Sequence, residues 1–164
     1  MSRLPNDRPL IPSVLDRLID LEPHRRTESP MNRTQVLQQM KESVGRDLQA
    51  LLNTRCRATS WPPDLTELDQ SLFAYGIPDC VGINTGSRQQ QETLRRLLTR
   101  AIETFEPRLT KIRVALADTN DPTDRALRFR IDAMLKIDPA PEPVIYDSKL
   151  DATSGDFSVK GVRR

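Results

Sequence analysis

The spacing of apolar residues changes at one point in the chain, the segment Phe105-Glu106-Pro107-Arg108. Over residues 87–105 apolar side chains recur every three or four positions, which predicts an amphipathic helix that Pro107 ends because proline has no backbone N–H to donate. Over residues 112–116 apolar residues alternate with others, which predicts a strand. A helix and a sheet are therefore expected in direct succession, with two charged side chains where they meet.

An earlier stretch of the chain has the same helical period. Residues 34–53 place apolar side chains on one face, and either Asn32 or Thr34 is positioned to cap the first turn. Residues 64–73, which follow a pair of prolines, are expected to form only a short helical turn. The sequence therefore predicts two main helices before the first strand.

The clearest strand pattern covers residues 127–137, in which every odd position is apolar and most even positions are charged. A turn is predicted at residues 118–122, and weaker strands at residues 144–150 and 156–162. Strict alternation is typical of an antiparallel sheet that packs one face on helices and exposes the other to water. The predicted fold is α+β: two amphipathic helices packed on one face of a small, mainly antiparallel sheet of about four strands, with an N-terminal helical arm.

The first 32 residues are interpreted as the N-terminal arm, and residues 33–164 as a single α+β domain. The arm is rich in proline and charge, and its apolar residues at helical spacing are Val14, Leu15, Leu18 and Ile19. Such a segment cannot bury enough apolar area to fold alone, so it is either disordered or docked on a surface of this chain or of a partner. Leu15 and Leu18 are the residues expected to contact a partner.

Composition argues against several classes of function. With 25 Lys and Arg against 23 Asp and Glu, the net charge of +2 produces no strong field for nucleic acid or an anionic membrane. No apolar run has the length of a signal peptide or of a membrane-spanning helix. The two cysteines are too few for a disulfide framework or a zinc site, which suits a reducing cytosol. We expect a cytoplasmic protein that binds no nucleic acid and does not insert into a membrane.

No residue pattern points to catalysis or cofactor binding. His24 is the only histidine, and it lies in the arm without fixed neighbours that could make it a general base or a metal ligand. Gly82 and Gly86 lack the spacing and the Lys-Ser/Thr ending of a phosphate-binding loop. A pair of carboxylates of the kind that glycosidases use is left open, because sequence does not give their separation. We predict no catalytic residue, no metal and no cofactor.

Glu106 and Arg108 differ from the other charged residues, because Pro107 fixes the backbone between them where a helix and a strand share a core. A charge that is partly removed from water needs a partner. That partner is either internal, from backbone amides or from Arg55, or it belongs to a neighbouring subunit. The two alternatives are compatible.

Three motifs carry a family resemblance: residues 42–55 (ESVGRDLQALLNTR), Tyr75-Gly76-Ile77-Pro78-Asp79 and Glu106-Pro107-Arg108. Together they resemble the TssE family of bacterial type VI secretion baseplate subunits and, through it, the baseplate wedge proteins of contractile-tailed phages. The likeness extends from residues 13–18 to the end of the chain. Gly45 is a departure, because the family has a long, often basic side chain there, and a glycine inside a helix suggests close packing.

The resemblance implies a structural, non-catalytic wedge subunit of a type VI secretion system that links the wedge complex to the contractile sheath. Implied partners are the baseplate proteins TssF, TssG and TssK and the sheath proteins TssB and TssC. It implies that Glu106-Pro107-Arg108 holds the wedge together. It also implies a sheet edge on which sheath strands add, which we predict at the segment Val144-Ile145-Tyr146.

Two other functions are left open by the sequence. The same fold is used by an anti-adaptor that controls a stress-response degradation pathway, so a regulatory binding module is one alternative. Phage relatives carry a lysozyme label, so a peptidoglycan hydrolase is the other. Aromatic residues that stack on sugars make up only 4% of the chain, which argues against the hydrolase.

Overall fold

The computed structural model describes residues 10–19, 23–24, 31–57, 61–84, 86–117 and 126–162. The helices in this part of the chain are α1 (Val14–Leu18), α2 (Arg33–Asn53), a short 3₁₀ helix (Thr66–Gln70) and α3 (Arg88–Phe105). The strands are β1 (Leu109–Ala117), β2 (Leu127–Leu135), β3 (Glu142–Leu150) and β4 (Phe157–Gly161).

The four strands form one antiparallel sheet in the order β1-β2-β3-β4, with α3 packed on β1 and α2 packed on β4. The odd-numbered residues of β2 are buried, namely Leu127, Phe129, Ile131, Ala133 and Leu135. These side chains join those of both main helices in one hydrophobic core. The predicted α+β fold, with two main helices on a four-stranded antiparallel sheet, is confirmed. No helix in the described ranges is long and apolar enough to cross a membrane.

The start of β1 is irregular, and the strand begins three residues before the predicted one. Lys111 has φ +51°, and the register with β2 shifts between Thr110 and Arg113. A bulge of this kind allows both Leu109 and Val114 to face the core, although their numbers differ in parity. Because the bulge interrupts the period of two, alternation in the sequence did not reveal the first part of the strand.

The prediction that the segment Val144-Ile145-Tyr146 belongs to an edge strand is wrong, because β3 lies between β2 and β4 in the sheet. Only Tyr146 of this segment is within the β3–β4 ladder, and a role of the segment in binding a partner stays a prediction. The segment lies in β3, which pairs with β2 along its length and with β4 over its last five residues. Just beyond that ladder, Val162 N donates to Ile145 O at 2.9 Å. The cause is the tight turn after β3, where Gly155 has φ +75° and the chain folds β4 back onto β3. The edge strands of the sheet are β1 and β4.

The helices begin and end close to the residues that the sequence predicts. Asn32 and Gln35 form a reciprocal capping box at the start of α2, because each side chain accepts a hydrogen bond from the other residue's backbone N–H. The helix α3 ends just before Pro107, as predicted. The helical turn expected within residues 64–73 is the 3₁₀ helix. The turn predicted at residues 118–122 lies outside the described residues.

The turn at residues 75–79 is fastened to the end of α2. Gly76 has φ +110°, and a Cβ at this position would lie 2.3 Å from Thr54 O. Only glycine fits this contact and this backbone conformation. Ile77 follows as a fully buried core residue, and its N–H donates to Thr54 O at 2.9 Å. The packing of this turn against the end of α2 therefore explains the glycine and the isoleucine of the Tyr75-Gly76-Ile77-Pro78-Asp79 motif.

Candidate functional site

Glu106 caps the C-terminus of α3, and only 4% of the residue is exposed. Its Oε1 accepts hydrogen bonds from Arg108 N at 3.3 Å and Nε at 2.7 Å, and its Oε2 accepts from Arg108 Nη2 at 2.6 Å. A carboxylate at a helix C-terminus is unfavourable beside the negative end of the helix dipole. The two-point pairing with a guanidinium compensates this charge, and Pro107 restricts the backbone that joins the two residues.

Arg108 connects this pair to α2. Its Nη2 lies 2.6 Å from Asp47 Oδ2, and its Nη1 lies 3.4 Å from Ser43 Oγ. The hydrogen bond with Glu106 raises the pKa of Arg108 against the opposing effect of burial, and the bond with Asp47 raises it further. Arg108 is therefore a cation held between carboxylates from two different elements.

The helix α1 joins the same charged group through Asp16, its one buried residue. Asp16 Oδ1 accepts hydrogen bonds from Ser43 Oγ and, at 2.8 Å, from Arg46 Nη2. Asp16 Oδ2 accepts from Ser13 Oγ at 2.6 Å. Arg46 also pairs with Asp47, with 3.3 Å between Nε and Oδ1. We call the following residues the junction cluster: Asp16, Ser43, Arg46, Asp47, Glu106 and Arg108.

The protonation of Asp16 depends on opposing effects. Burial by itself would raise its pKa, but the hydrogen bonds from Ser13, Ser43 and Arg46 outweigh burial and lower the pKa to about 2. Asp16 is therefore a carboxylate at neutral pH. The junction cluster is an ion-paired group that joins α1, α2 and the α3–β1 connection.

The compensation expected for Glu106 and Arg108 lies within this chain. Both the backbone amide and the guanidinium of Arg108 donate to Glu106. Arg55, the other internal candidate, is engaged elsewhere: its Nε lies 3.4 Å from Asp79 Oδ1, and its Nη2 donates to Gly155 O at 2.8 Å. The additional contact with a neighbouring subunit stays a prediction.

The junction cluster has a buried part and an exposed rim. The side chains of Asp16 and Glu106 are 5% and 6% exposed. Those of Arg108, Asp47 and Arg46 are 27%, 33% and 48% exposed. The two guanidiniums and Asp47 are therefore accessible from the solvent, whereas Glu106 is covered and holds Arg108 in place.

The arm residues selected from the sequence are accessible. Leu15 and Leu18 are 59% and 76% exposed, and Ile11 and Val14 are exposed beside them. Asp16 is buried within the same short helix, so the apolar side chains lie on the surface while the charged one faces the domain. We call Val14, Leu15 and Leu18, together with Ile11 just before the helix, the apolar face of α1.

The segment Val144-Ile145-Tyr146 is buried, and its residues line a groove of about 840 Å³ between α2 and the strands β3 and β4. Tyr146 OH donates to Lys41 O at 2.9 Å. A Cβ at Gly45 would lie 3.3 Å from Tyr146 Cε1, so the glycine that departs from the family pattern permits close packing, as predicted. Burial, and after it the charge of Glu106, raises the pKa of Tyr146.

Two amide side chains of α2 cover part of the outer edge of β4. Asn53 Nδ2 donates to Phe157 O at 2.8 Å, and Asn53 Oδ1 accepts from Phe157 N at 2.8 Å. Gln49 Oε1 accepts from Val159 N at 3.3 Å. An added strand would need these same backbone groups. This end of β4 is therefore closed to strand addition.

Sequence reasoning missed much of the junction cluster. Ser43, Arg46 and Asp47 have the i, i+3, i+4 spacing that puts side chains on one helix face, and this signal within residues 42–55 could have identified them. Asp16 carried a weaker signal, as a carboxylate inside a short apolar pattern. No sequence pattern indicated that Asn53 and Gln49 cover the edge of β4, because this role depends on where β4 lies in the fold.

The remaining candidates for chemistry among the described residues give no further site. His24 is exposed. Within the ranges that the structure describes, no group of three or more His, Cys, Asp or Glu side chains is placed to hold a metal ion. The site thus offers ion pairs, hydrogen bonds and an apolar surface.

These features define a class of protein: a small α+β subunit whose buried charges brace one another and whose exposed rim and apolar face are available for protein contacts. Residues 38–140 match the family model described as baseplate wedge protein gp25. This match covers more than half of the chain, from α2 to the β2–β3 connection, and the chain belongs to that family. The family is generally structural, and membership implies other baseplate proteins as partners. Searches of curated proteins and of solved structures found no match.

Proposed function

We propose that this chain is a non-catalytic wedge subunit of a type VI secretion baseplate and links the wedge complex to the contractile sheath. Membership of the baseplate wedge family supports the wedge role. The likeness of residues 42–55, Tyr75-Gly76-Ile77-Pro78-Asp79 and Glu106-Pro107-Arg108 to TssE supports the type VI setting. The protein then works in the bacterial cytoplasm, at the base of a membrane-anchored machine.

The junction cluster is the observation that carries this proposal. Glu106 binds Arg108 through both carboxylate oxygens, and Arg108 reaches the surface beside Asp47. This geometry holds a guanidinium in one orientation, as recognition of a partner carboxylate or carbonyl requires. TssF and TssG bind at this rim, with TssK in the same complex. The apolar face of α1, including Leu15 and Leu18, adds a second contact.

Glu106→Ala tests the wedge role. The variant is expected to remain folded, because Arg108 keeps its pairing with Asp47 and its access to water. It is expected to lose co-purification with TssF and TssG, because the guanidinium is no longer fixed. The matched control is Glu92→Ala, which removes a carboxylate paired with Arg95 on the surface of α3.

The results for Glu106→Ala distinguish a wedge contact at Glu106-Pro107-Arg108 from a purely internal brace. Capture of TssF and TssG by Glu106→Ala at the level of the Glu92→Ala control would show that the junction makes no wedge contact. Loss of the cooperative unfolding transition in Glu106→Ala would instead assign Glu106 to the internal brace alone. Asp47→Asn, which changes an exposed rim residue, then tests the interface without removing Glu106.

The link to the sheath is proposed at the edge of β1. The outer edge of β4 is covered at Phe157 and Val159 by α2 amides, whereas β1 is a nine-residue edge strand whose last residues, Leu116 and Ala117, are exposed. A strand of TssB or TssC adds there by backbone pairing. Adding TssB–TssC is expected to slow amide hydrogen exchange in residues 114–117 and not at Phe157 or Val159. Slowing at β4 alone would reject this edge.

The hydrolase alternative is not favoured by the site. Glu106 is buried and is paired with Arg108 through both oxygens, so it is poorly placed to exchange a proton with a substrate. A turbidity assay on purified cell walls is expected to show no clearing. Clearing that disappears in Glu106→Gln would overturn the non-catalytic assignment.

A further inference from the structure

The helix α1 has the reverse of the usual amphipathic arrangement. Its one buried residue is Asp16, whereas Val14, Leu15 and Leu18 are mostly exposed. A helix of five residues is far too short to be stable by itself in water. Since apolar burial against the domain does not hold this helix, another interaction must.

The contacts of Asp16 supply that interaction. Ser13 Oγ, which caps α1, bonds Asp16 from within the arm, and it orders the first turn. Ser43 and Arg46 bond Asp16 from α2, one turn apart on the same helix face. Arg108 Nη1 lies 3.9 Å from Asp16 Oδ2, so the cation at the centre of the junction also faces this carboxylate.

We infer that Asp16 is a positioning residue that fastens α1 to the junction cluster and thereby presents the apolar face of α1 to a wedge partner in one orientation. Asp16 itself makes no partner contact, because it is buried. It acts through Leu15 and Leu18, whose side chains it holds outward. Asp16 positions α1 in the isolated chain whether or not the proposed function is correct. Only the role of this positioning in partner capture rests on the proposed function.

The first consequence is that the carboxylate charge, and not the apolar residues, holds α1 in place. In the full-length protein, Asp16→Asn keeps the side-chain shape but removes the charge that faces Arg46. Backbone ¹⁵N order parameters of residues 14–18 are expected to fall from about 0.85 to below about 0.6, while those of α2 and the sheet stay unchanged. Arg17→Gln, an exposed change in the same helix, is the matched control and is expected to keep the rigid values.

A conservative variant separates charge from shape. Asp16→Glu keeps the carboxylate and is expected to recover part of the order that Asp16→Asn loses. Ser43→Ala removes one of the two donors from α2 and is expected to give an intermediate loss. Equal rigidity of residues 14–18 in Asp16→Asn and Arg17→Gln would overturn the inference. Failure of Asp16→Asn to fold, together with unchanged order in Ser43→Ala, would overturn it as well.

The second consequence concerns assembly. Asp16→Asn is expected to capture TssF and TssG at least tenfold less than Arg17→Gln does, although the apolar face is chemically unchanged. If residues 14–18 become mobile but capture stays equal, the positioning by Asp16 stands and the α1 contact in the proposed function fails. If residues 14–18 stay rigid and capture falls, the positioning by Asp16 fails instead.

Discussion

Two groups of ion pairs in this protein have nearly the same geometry and very different surroundings. Arg108 Nη2 lies 2.6 Å from Glu106 Oε2 in the junction cluster, and Arg95 Nη2 lies 2.6 Å from Glu92 Oε1 on α3. The side chain of Glu106 is 6% exposed and that of Glu92 is 42% exposed. The junction cluster joins three parts of the fold, whereas Glu92 pairs within a single helix.

Ion pairs with similar distances and similar pKa shifts are expected to contribute differently to stability when their burial differs. Hydrogen bonds from Arg95 and Arg96 lower the pKa of Glu92 to about 2, which is also the value for Asp16. Around Glu92, water replaces a lost partner and screens the charges. Around Glu106, a lost partner leaves a carboxylate without water. We therefore expect the junction cluster to contribute to the stability of the fold and the pairs of Glu92 to contribute little.

The largest effect is expected for Arg108→Ala. Removing the guanidinium leaves Glu106 buried without its counter-charge, which should lower the free energy of unfolding by about 3–5 kcal/mol. Urea denaturation followed by circular dichroism measures this loss. Glu106→Ala is expected to cost less, because the remaining Arg108 is 27% exposed and keeps Asp47. If Arg108→Ala and Glu106→Ala lowered the free energy of unfolding equally, the distinction between the buried part of the junction cluster and its exposed rim would be contradicted.

An intermediate effect is expected when the arm is titrated with acid. The pKa of Asp16 is lowered from 3.8 to about 2 in the folded protein, so its contribution is complete above about pH 4 and is lost as pH falls through 2. Solvent screens the charge of Arg46, which is half exposed. After this screening is allowed for, the charge of Asp16 contributes on the order of 1–2 kcal/mol to the docking of α1. The methyl signals of Leu15 and Leu18 are expected to move toward free-peptide positions between pH 4 and 2.

Asp16→Asn provides the control for this titration. Its Leu15 and Leu18 signals are expected at free-peptide positions already at pH 6, with no further change between pH 4 and 2. Glu92, whose pKa is also lowered to about 2, is expected to titrate over a similar range without a structural change, which separates protonation from undocking. Wild-type methyl signals that stay constant down to pH 2 would show that α1 is held by something other than the charge of Asp16.

The features that the sequence predicted are those set by local patterns. The alternation at residues 127–137 identified β2, and Pro107 identified the end of α3. The same local reasoning showed that Glu106 and Arg108 need a partner. The bulge at Lys111 escaped prediction because it interrupts the period on which strand prediction depends.

The features that the sequence did not predict depend on long-range placement. Val144-Ile145-Tyr146 has the pattern of any strand, and only the placement of β4 beside β3 makes its strand interior. Asp16 is remote in sequence from Ser43 and Arg108, and no periodicity links them. Asn53 is likewise bonded to Phe157 across most of the chain. Sequence patterns therefore identified the elements, and the tertiary fold determined which charges and edges meet.

The smallest effect is expected for Glu92→Gln, and its size is the most direct check on the comparison. Glu92 pairs with Arg95 and Arg96 at three and four residues' separation, so its loss changes only contacts on the solvent side of α3. The urea midpoint is expected to stay within experimental error of the wild type, although the pKa of Glu92 is as low as that of Asp16. A midpoint shift as large as that of Glu106→Ala would mean that hydrogen-bond geometry alone sets the contribution of these ion pairs, and the distinction drawn from burial would fail.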